Sequence, residues 1–169
     1  IVAMMQFNMY HHYTVDEHII QCISILADLE IGKMKEEFPI ASGILSAGIN
    51  RRVLYVALLL HDIGKGRPED HSLIGAEIAE VVAPRLGLNE KESETVVWLV
   101  KNHLLMSDTA QKRDNSDPRT VRDFCRDVNT MSRLKLLTVL TVCDIMGVGP
   151  GTLNNWKAQL LKSLYKSAK

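Results

Sequence analysis

An unbroken apolar run, VLYVALLL at residues 53–60, passes straight into His61, Asp62 and the glycine-punctuated loop GKGRPED. The run does not alternate apolar with polar residues, and the chain has no Asn-Gly turns, so it reads as a helix buried on nearly every face. A helix of that kind must be wrapped by others, which predicts an all-α, single-domain architecture. Neighbouring helical residues point about 100° apart, so His61 and Asp62 can converge on one point only where the helix ends. Gly64 and Gly66 predict that ending. A carboxylate at a helix C-terminus meets the unfavourable end of the dipole unless a cation is near. The pair therefore points to one divalent cation held by an imidazole nitrogen and a carboxylate oxygen.

Local signals supply the surrounding helices. TVDE at residues 14–17 is an N-terminal cap, and His18, Cys22, Ile25 and Leu29 follow at helical spacing, giving a helix over about 15–29. The stretch around Pro39, Ser42, Gly43 and Gly48 reads as a loop with a short helix. Ile74, Ile78, Val81 and Val82 mark a helix ended near Pro84 and Gly87, and NEKE at 89–92 opens another that runs to His103. Asp117 before Pro118 starts a helix to about 128. Leu134, Leu137, Thr141 and Asp144 share a face of the next helix, itself apolar almost all round and broken by Gly147, Gly149, Pro150 and Gly151. A terminal helix is predicted to turn Trp156, Leu160 and Leu164 inward. Residues 4–13 read as an extended lead-in carrying His11 and His12.

Composition narrows the functional classes. Lys plus Arg and Asp plus Glu number 20 each, so no net field favours nucleic acid or an anionic membrane. The longest apolar run is too short for a membrane span, and there is no signal-peptide pattern. Cys22, Cys125 and Cys143 read as buried, reduced thiols, which predicts a cytoplasmic location. Ile1 is not an initiator methionine, so the chain is expected to be part of a longer protein.

The candidate chemistry lies around the His-Asp pair. Asp144 sits in LTVLTVCDIMGV, where an isolated carboxylate costs several kcal/mol or protonates, so it needs a partner. With His18 it completes a metal set of His18, His61, Asp62 and Asp144. His71 and His103 lie at helix ends and extend the set to a second ion, with Asp62 bridging; two such ions clamp a phosphoester. Lys65 and Arg67 form a small cationic loop able to hold phosphate, so Asp62, Lys65 and Arg67 are the candidate catalytic groups. Lys112, Arg113, Arg119, Arg122 and Arg126 read as a solvated basic face. No serine sits in a GxSxG elbow, and P-loop and GxGxxG signatures are missing.

The spaced His, HD, Asp set resembles the HD superfamily of metal-dependent phosphohydrolases. The strings YHHYTVDEH, LLLHDIGKGRPEDHSLIGAEIA, VVWLVKNHLLMSDTAQKRD and LLTVLTVCDIMGVGPGTLNNWKAQLLKSLY are similar to the HD domain of the bifunctional PII uridylyltransferase and uridylyl-removing family. That resemblance implies hydrolytic removal of UMP from a tyrosine of uridylylated PII. It implies divalent manganese or magnesium, with iron and zinc as alternatives, one or two ions being held. It also implies a longer parent protein with a nucleotidyltransferase domain and glutamine-sensing ACT domains. The alternatives are a phosphohydrolase of free nucleotides and a non-catalytic, metal-bound regulatory module.

Overall fold

The computed structural model describes residues 14–65 and 70–169, which contain nine helices and no strand. These are α1 (Val15–Glu30), α2 (Pro39–Ser46), α3 (Arg51–Leu60), α4 (His71–Arg85), α5 (Glu90–Lys101), α6 (Leu105–Lys112), α7 (Pro118–Val128), α8 (Met131–Met146) and α9 (Asn155–Ala168). The capping chemistry starts most of them. Thr14, Asn50, Asp70, Asn89, Asp117, Thr130 and Asn154 each accept from a backbone N–H in the first turn of the helix that follows. At Asn89 the cap is reciprocal, since the Glu92 carboxylate accepts from the Asn89 N–H at 3.1 Å.

The spine of the domain is α8, which packs on α1, α2, α3, α5, α6, α7 and α9. Leu134, Leu136, Leu137, Val139 and Leu140 are all buried. Each buried aliphatic side chain contributes about 1.5–3 kcal/mol, so this helix can carry a carboxylate near its C-terminal end, where burial costs several kcal/mol. The run at 53–60, expected to be central, is packed on one side only. Leu59 is exposed, and Tyr55 and Val56 are half-buried, because α3 lies against α1, α4, α5 and α8 with its outer face free.

An antiparallel pair, α4 and α5, covers one side of α3. Gly75 allows the close approach, since a Cβ there would stand 3.0 Å from Val100 Cγ1. Gly87 closes α4 with a positive φ of 89°, a conformation natural to glycine, and directs Leu88 back into the core.

Several local expectations are corrected. The helix opened by NEKE stops at Lys101, two residues before His103, and α6 follows where the sequence reading assigned no helix. The short helix expected around Pro39 is α2, which takes up most of that stretch. Leu164 is buried and Leu160 half-buried as expected, but Trp156 is 61% exposed, and α9 completes its inner face with Leu161 and Tyr165, because that face is set by the position of α6 and α7. Cys125 is half-buried, whereas Cys22 and Cys143 are buried as expected. The basic face carries its own counter-charges, with Arg113 3.1 Å from Asp123 and Lys112 3.3 Å from Asp108. No helix of the described residues is long and apolar enough to cross a membrane.

Candidate metal centre

Five segments converge beside the C-terminal end of α3. The first is α1, which brings His18. The turn ending α3 brings His61 and Asp62, the first residue of α4 is His71, the turn between α5 and α6 holds His103, and α8 brings Asp144. His18, His61, Asp62 and His103 are each at most 2% exposed. Asp144, with 16% of its side chain exposed, is the more open carboxylate of the pair.

The turn after α3 puts His61 and Asp62 on one point, as their adjacency requires. His61 occupies the C-cap and the chain leaves the helix there. The next constraint is steric, because a Cβ on Gly64 would collide with the His71 carbonyl oxygen and stand 3.0 Å from the Gly75 backbone nitrogen. Glycine at 64 thus lets the turn lie directly on the start of α4, which brings His71 to the centre.

Backbone carbonyls orient three of the histidines. Nδ1 of His18 donates to Gly147 O at 2.9 Å, that of His61 to Leu58 O at 2.6 Å, and that of His103 to Val100 O at 2.7 Å. A carbonyl oxygen only accepts, so each Nδ1 carries its proton and each Nε2 faces inward. Opposite them stand carboxylate oxygens. Asp144 Oδ1 is 2.8 Å from His18 Nε2 and 3.1 Å from His61 Nε2. Asp62 Oδ2 is 3.3 Å from both of those nitrogens and 3.4 Å from Lys65 Nζ, while Asp62 Oδ1 is 3.7 Å from His103 Nε2. One carboxylate therefore divides its two oxygens between two groups of imidazoles. The second group continues to His71, whose ring centroid lies 5.4 Å from that of His103.

Nitrogen lone pairs facing carboxylate oxygens at these distances repel unless a proton or a cation lies between them. Asp62 Oδ2 and His71 Nε2 are both buried without a hydrogen-bond partner, which fits a metal-ligating role for each. Protonation compensates for part of the charge. Burial pushes His61 towards neutrality, but the carboxylates of Asp62 and Asp144 outweigh it and hold its pKa well above the usual histidine range. Burial likewise raises Asp62 and Asp144, yet the neighbouring imidazoles and, for Asp62, Lys65 overcome it and hold both below the ordinary carboxylate range. His103 is lowered by its burial and by the charge on His61. A mixed set of imidazole and carboxylate donors suits manganese, iron or zinc, and magnesium through its oxygens.

The structure thus brings together His18, His61, Asp62, His71, His103 and Asp144, and places Lys65 beside Asp62. Arg67 lies outside the described residues, as do His11 and His12. Two contributors went unread in the sequence. Cys22 lies within the His18, His61 and Asp144 group, its Sγ 3.5 Å from His18 Nε2. Burial and the Asp144 charge push its thiol pKa well up, so it is a protonated neighbour of the ring. Its signal was the i, i+4 spacing from His18. Gly147, read only as a helix breaker, supplies the carbonyl that orients His18.

A family model described as the HD domain matches residues 15–145, the span that carries all six of these His and Asp residues. The chain belongs to the HD domain family. This HD domain is 72% identical over 166 residues to the "Bifunctional uridylyltransferase/uridylyl-removing enzyme" of Cereibacter sphaeroides, which covers 98% of the chain and 18% of that relative. It is 70% identical over 169 residues to the enzyme of the same name in Ruegeria pomeroyi, covering 100% of the chain and 19% of that relative. The HD domain therefore spans about a fifth of the length of these curated relatives.

Proposed function

We propose that this HD domain is the uridylyl-removing part of a longer bifunctional protein, and that it hydrolyses the phosphodiester joining UMP to a tyrosine of the PII signalling protein. The observation that carries this reading is the division of Asp62: Oδ2 faces His18, His61 and Lys65, while Oδ1 faces His103. Such a carboxylate can serve two metal positions, one formed with His18, His61 and Asp144 and the other with His71 and His103. When bound, a divalent metal supplies Lewis acidity at the phosphoryl oxygens and lowers the pKa of a water.

The residues of the domain provide position and charge. The backbone bonds to Nδ1 hold three imidazoles in the orientation that presents Nε2. Lys65, 23% exposed, sits at the edge of the cluster with its ammonium group beside Asp62, where it can neutralise a phosphoryl oxygen as well. The walls around His18, His61 and His103 keep bulk water from most of the site. Water cleaves the P–O bond to give UMP and the free phenol of the tyrosine. A phenol, with a pKa of about 10, is a good enough leaving group to need little acid assistance. The two buried free thiols suit a reducing compartment, in keeping with a cytoplasmic location. Glutamine sensing would belong to other parts of the longer protein.

The test is to incubate the manganese-loaded chain with uridylylated PII and to follow UMP release by mass, with Asp62→Ala as control. Release by the parent and none by Asp62→Ala, with unchanged helical circular dichroism, supports the reading. Undiminished release by Asp62→Ala, or none from a folded, metal-loaded parent, overturns it for this domain.

A further inference from the structure

The turn that leaves α8 bears directly on the metal centre. Residues 147–152, GVGPGT, include three glycines, so the backbone by itself does little to fix its course. Yet the Gly147 carbonyl in this turn accepts from His18 Nδ1 at 2.9 Å, and so sets the direction of His18 Nε2, which meets Asp144 Oδ1 at 2.8 Å. That carbonyl orients the ring only if the turn is itself held. Thr152 is the one residue of the six with a polar side chain.

The Thr152 hydroxyl ties the turn back onto the helix. Its Oγ1 lies 2.5 Å from the Ile145 carbonyl oxygen and 2.7 Å from that of Gly149, within reach to donate its proton to either. The backbone bonds to the same two carbonyls, from Val148 N at 3.3 Å and Thr152 N at 3.4 Å, are longer. The hydroxyl therefore sits between two oxygens of like partial charge and closes a loop that begins next to Asp144 and encloses Gly147. Removing it leaves both carbonyls facing an apolar group, and the turn relaxes where it supports His18.

We infer that Thr152 is a positioning residue for the metal position formed by His18, His61 and Asp144, acting through the Gly147 carbonyl. The inference rests on the metal-holding role of those three residues given above and adds the side chain that sets the orientation of His18.

The experiment is manganese titration of the metal-free chain followed by NMR, with paramagnetic broadening of the His18 ring signals reporting one metal position and of the His71 ring signals the other. Thr152→Val, which keeps the shape of the side chain and removes the hydroxyl, should weaken manganese at the His18 position about tenfold, as loss of an outer support of a ligand does, and leave the His71 position unchanged. Thr152→Ser, which keeps the hydroxyl, should restore the parent affinity. The control is Thr138→Val, also on the α8 side of the core, whose Oγ1 donates to Leu134 O at 2.7 Å away from the centre. It loses a bond of the same kind, so it should melt lower yet bind manganese as the parent does. Parent affinity in Thr152→Val overturns the inference, as does failure of Thr152→Ser to restore it. Equal weakening at both positions, or by Thr138→Val as well, also overturns it, since the loss would then come from general destabilisation. The parent separates the two readings: no manganese at His18 refutes the metal reading and this inference with it, whereas binding by the parent with no change in Thr152→Val refutes the role of Thr152 alone.

Discussion

Gly147→Ala tests how the end of α8 holds the first half of the metal centre. The backbone there, with φ −69° and ψ −12°, is one any residue adopts, so the substitution introduces no dihedral strain. By itself it should stabilise by about 0.4–1 kcal/mol, through a less flexible unfolded chain. The new Cβ would stand 2.5 Å from Cys22 Sγ and 3.0 Å from the Cys143 carbonyl oxygen. Cys22 is fully buried and its sulfur lies against the His18 ring, so it cannot swing into solvent. Overpacking of this kind costs about 1–3 kcal/mol, so repulsion wins and the net loss is about 1–2 kcal/mol. For a domain of this size that corresponds to a fall of about 2–8 °C in melting temperature. The same displacement strains the 2.9 Å bond from His18 to the Gly147 carbonyl, so manganese affinity should fall as well. Cys22→Ala, costing about 1 kcal/mol by itself, removes the atom that is struck. The double variant Cys22→Ala/Gly147→Ala should therefore melt close to Cys22→Ala, with a coupling energy of at least about 1 kcal/mol. Thermal and urea unfolding of the metal-free proteins, with manganese titrations of each, supply the cycle. Strictly additive losses would refute the contact.

Three further outcomes follow from the geometry. Gly64→Ala meets backbone rather than a side chain, at His71 O and Gly75 N, so it should destabilise by about 3 kcal/mol in urea unfolding and lower the affinity of the His71 and His103 position, with no rescue by trimming neighbouring side chains. Lys65→Met should lower the rate of UMP release while leaving bound manganese unchanged, as metal analysis of the purified variant will show. Hydrogen bonds from the Asn50 side chain and the Asn89 backbone hold the Glu92 pKa below its usual value. Its contribution to stability is then present above the ordinary glutamate range and lost as pH falls through the lowered value. The stability difference between parent and Glu92→Gln should accordingly be largest near neutral pH and shrink on acidification, measured by urea unfolding at a series of pH values. A difference that grows with acidity would contradict the assigned bonds.

Much of the domain was legible in order along the chain, because capping residues and apolar periodicity act within a few residues. Asn89 with Glu92, Asp117 with Pro118 and Thr14 mark helix starts whatever surrounds them. The His61–Asp62 pair was legible for a similar reason: two adjacent ligands can converge only at a helix end, and the apolar run and glycines mark that end. Burial was less legible. Both α3 and α8 are apolar on most faces, and only the number of helices packed on each made α8 the spine. Trp156 faces outward because rotation of α9 about its axis follows from the neighbours it meets, which local spacing does not encode.

The residue types themselves determined that a cation with imidazole and carboxylate donors, and hence phosphoester hydrolysis, was the chemistry to look for. What only tertiary structure decided is the arrangement of those donors. His18 and Asp144 are 126 positions apart and meet at 2.8 Å because α1 packs along α8. The division of Asp62 between two sets of imidazoles and the Gly147 carbonyl behind His18 both depend on distances between helices. Sequence periodicity specifies the face a residue occupies. The distance between faces on different helices is set by the packing of the whole core.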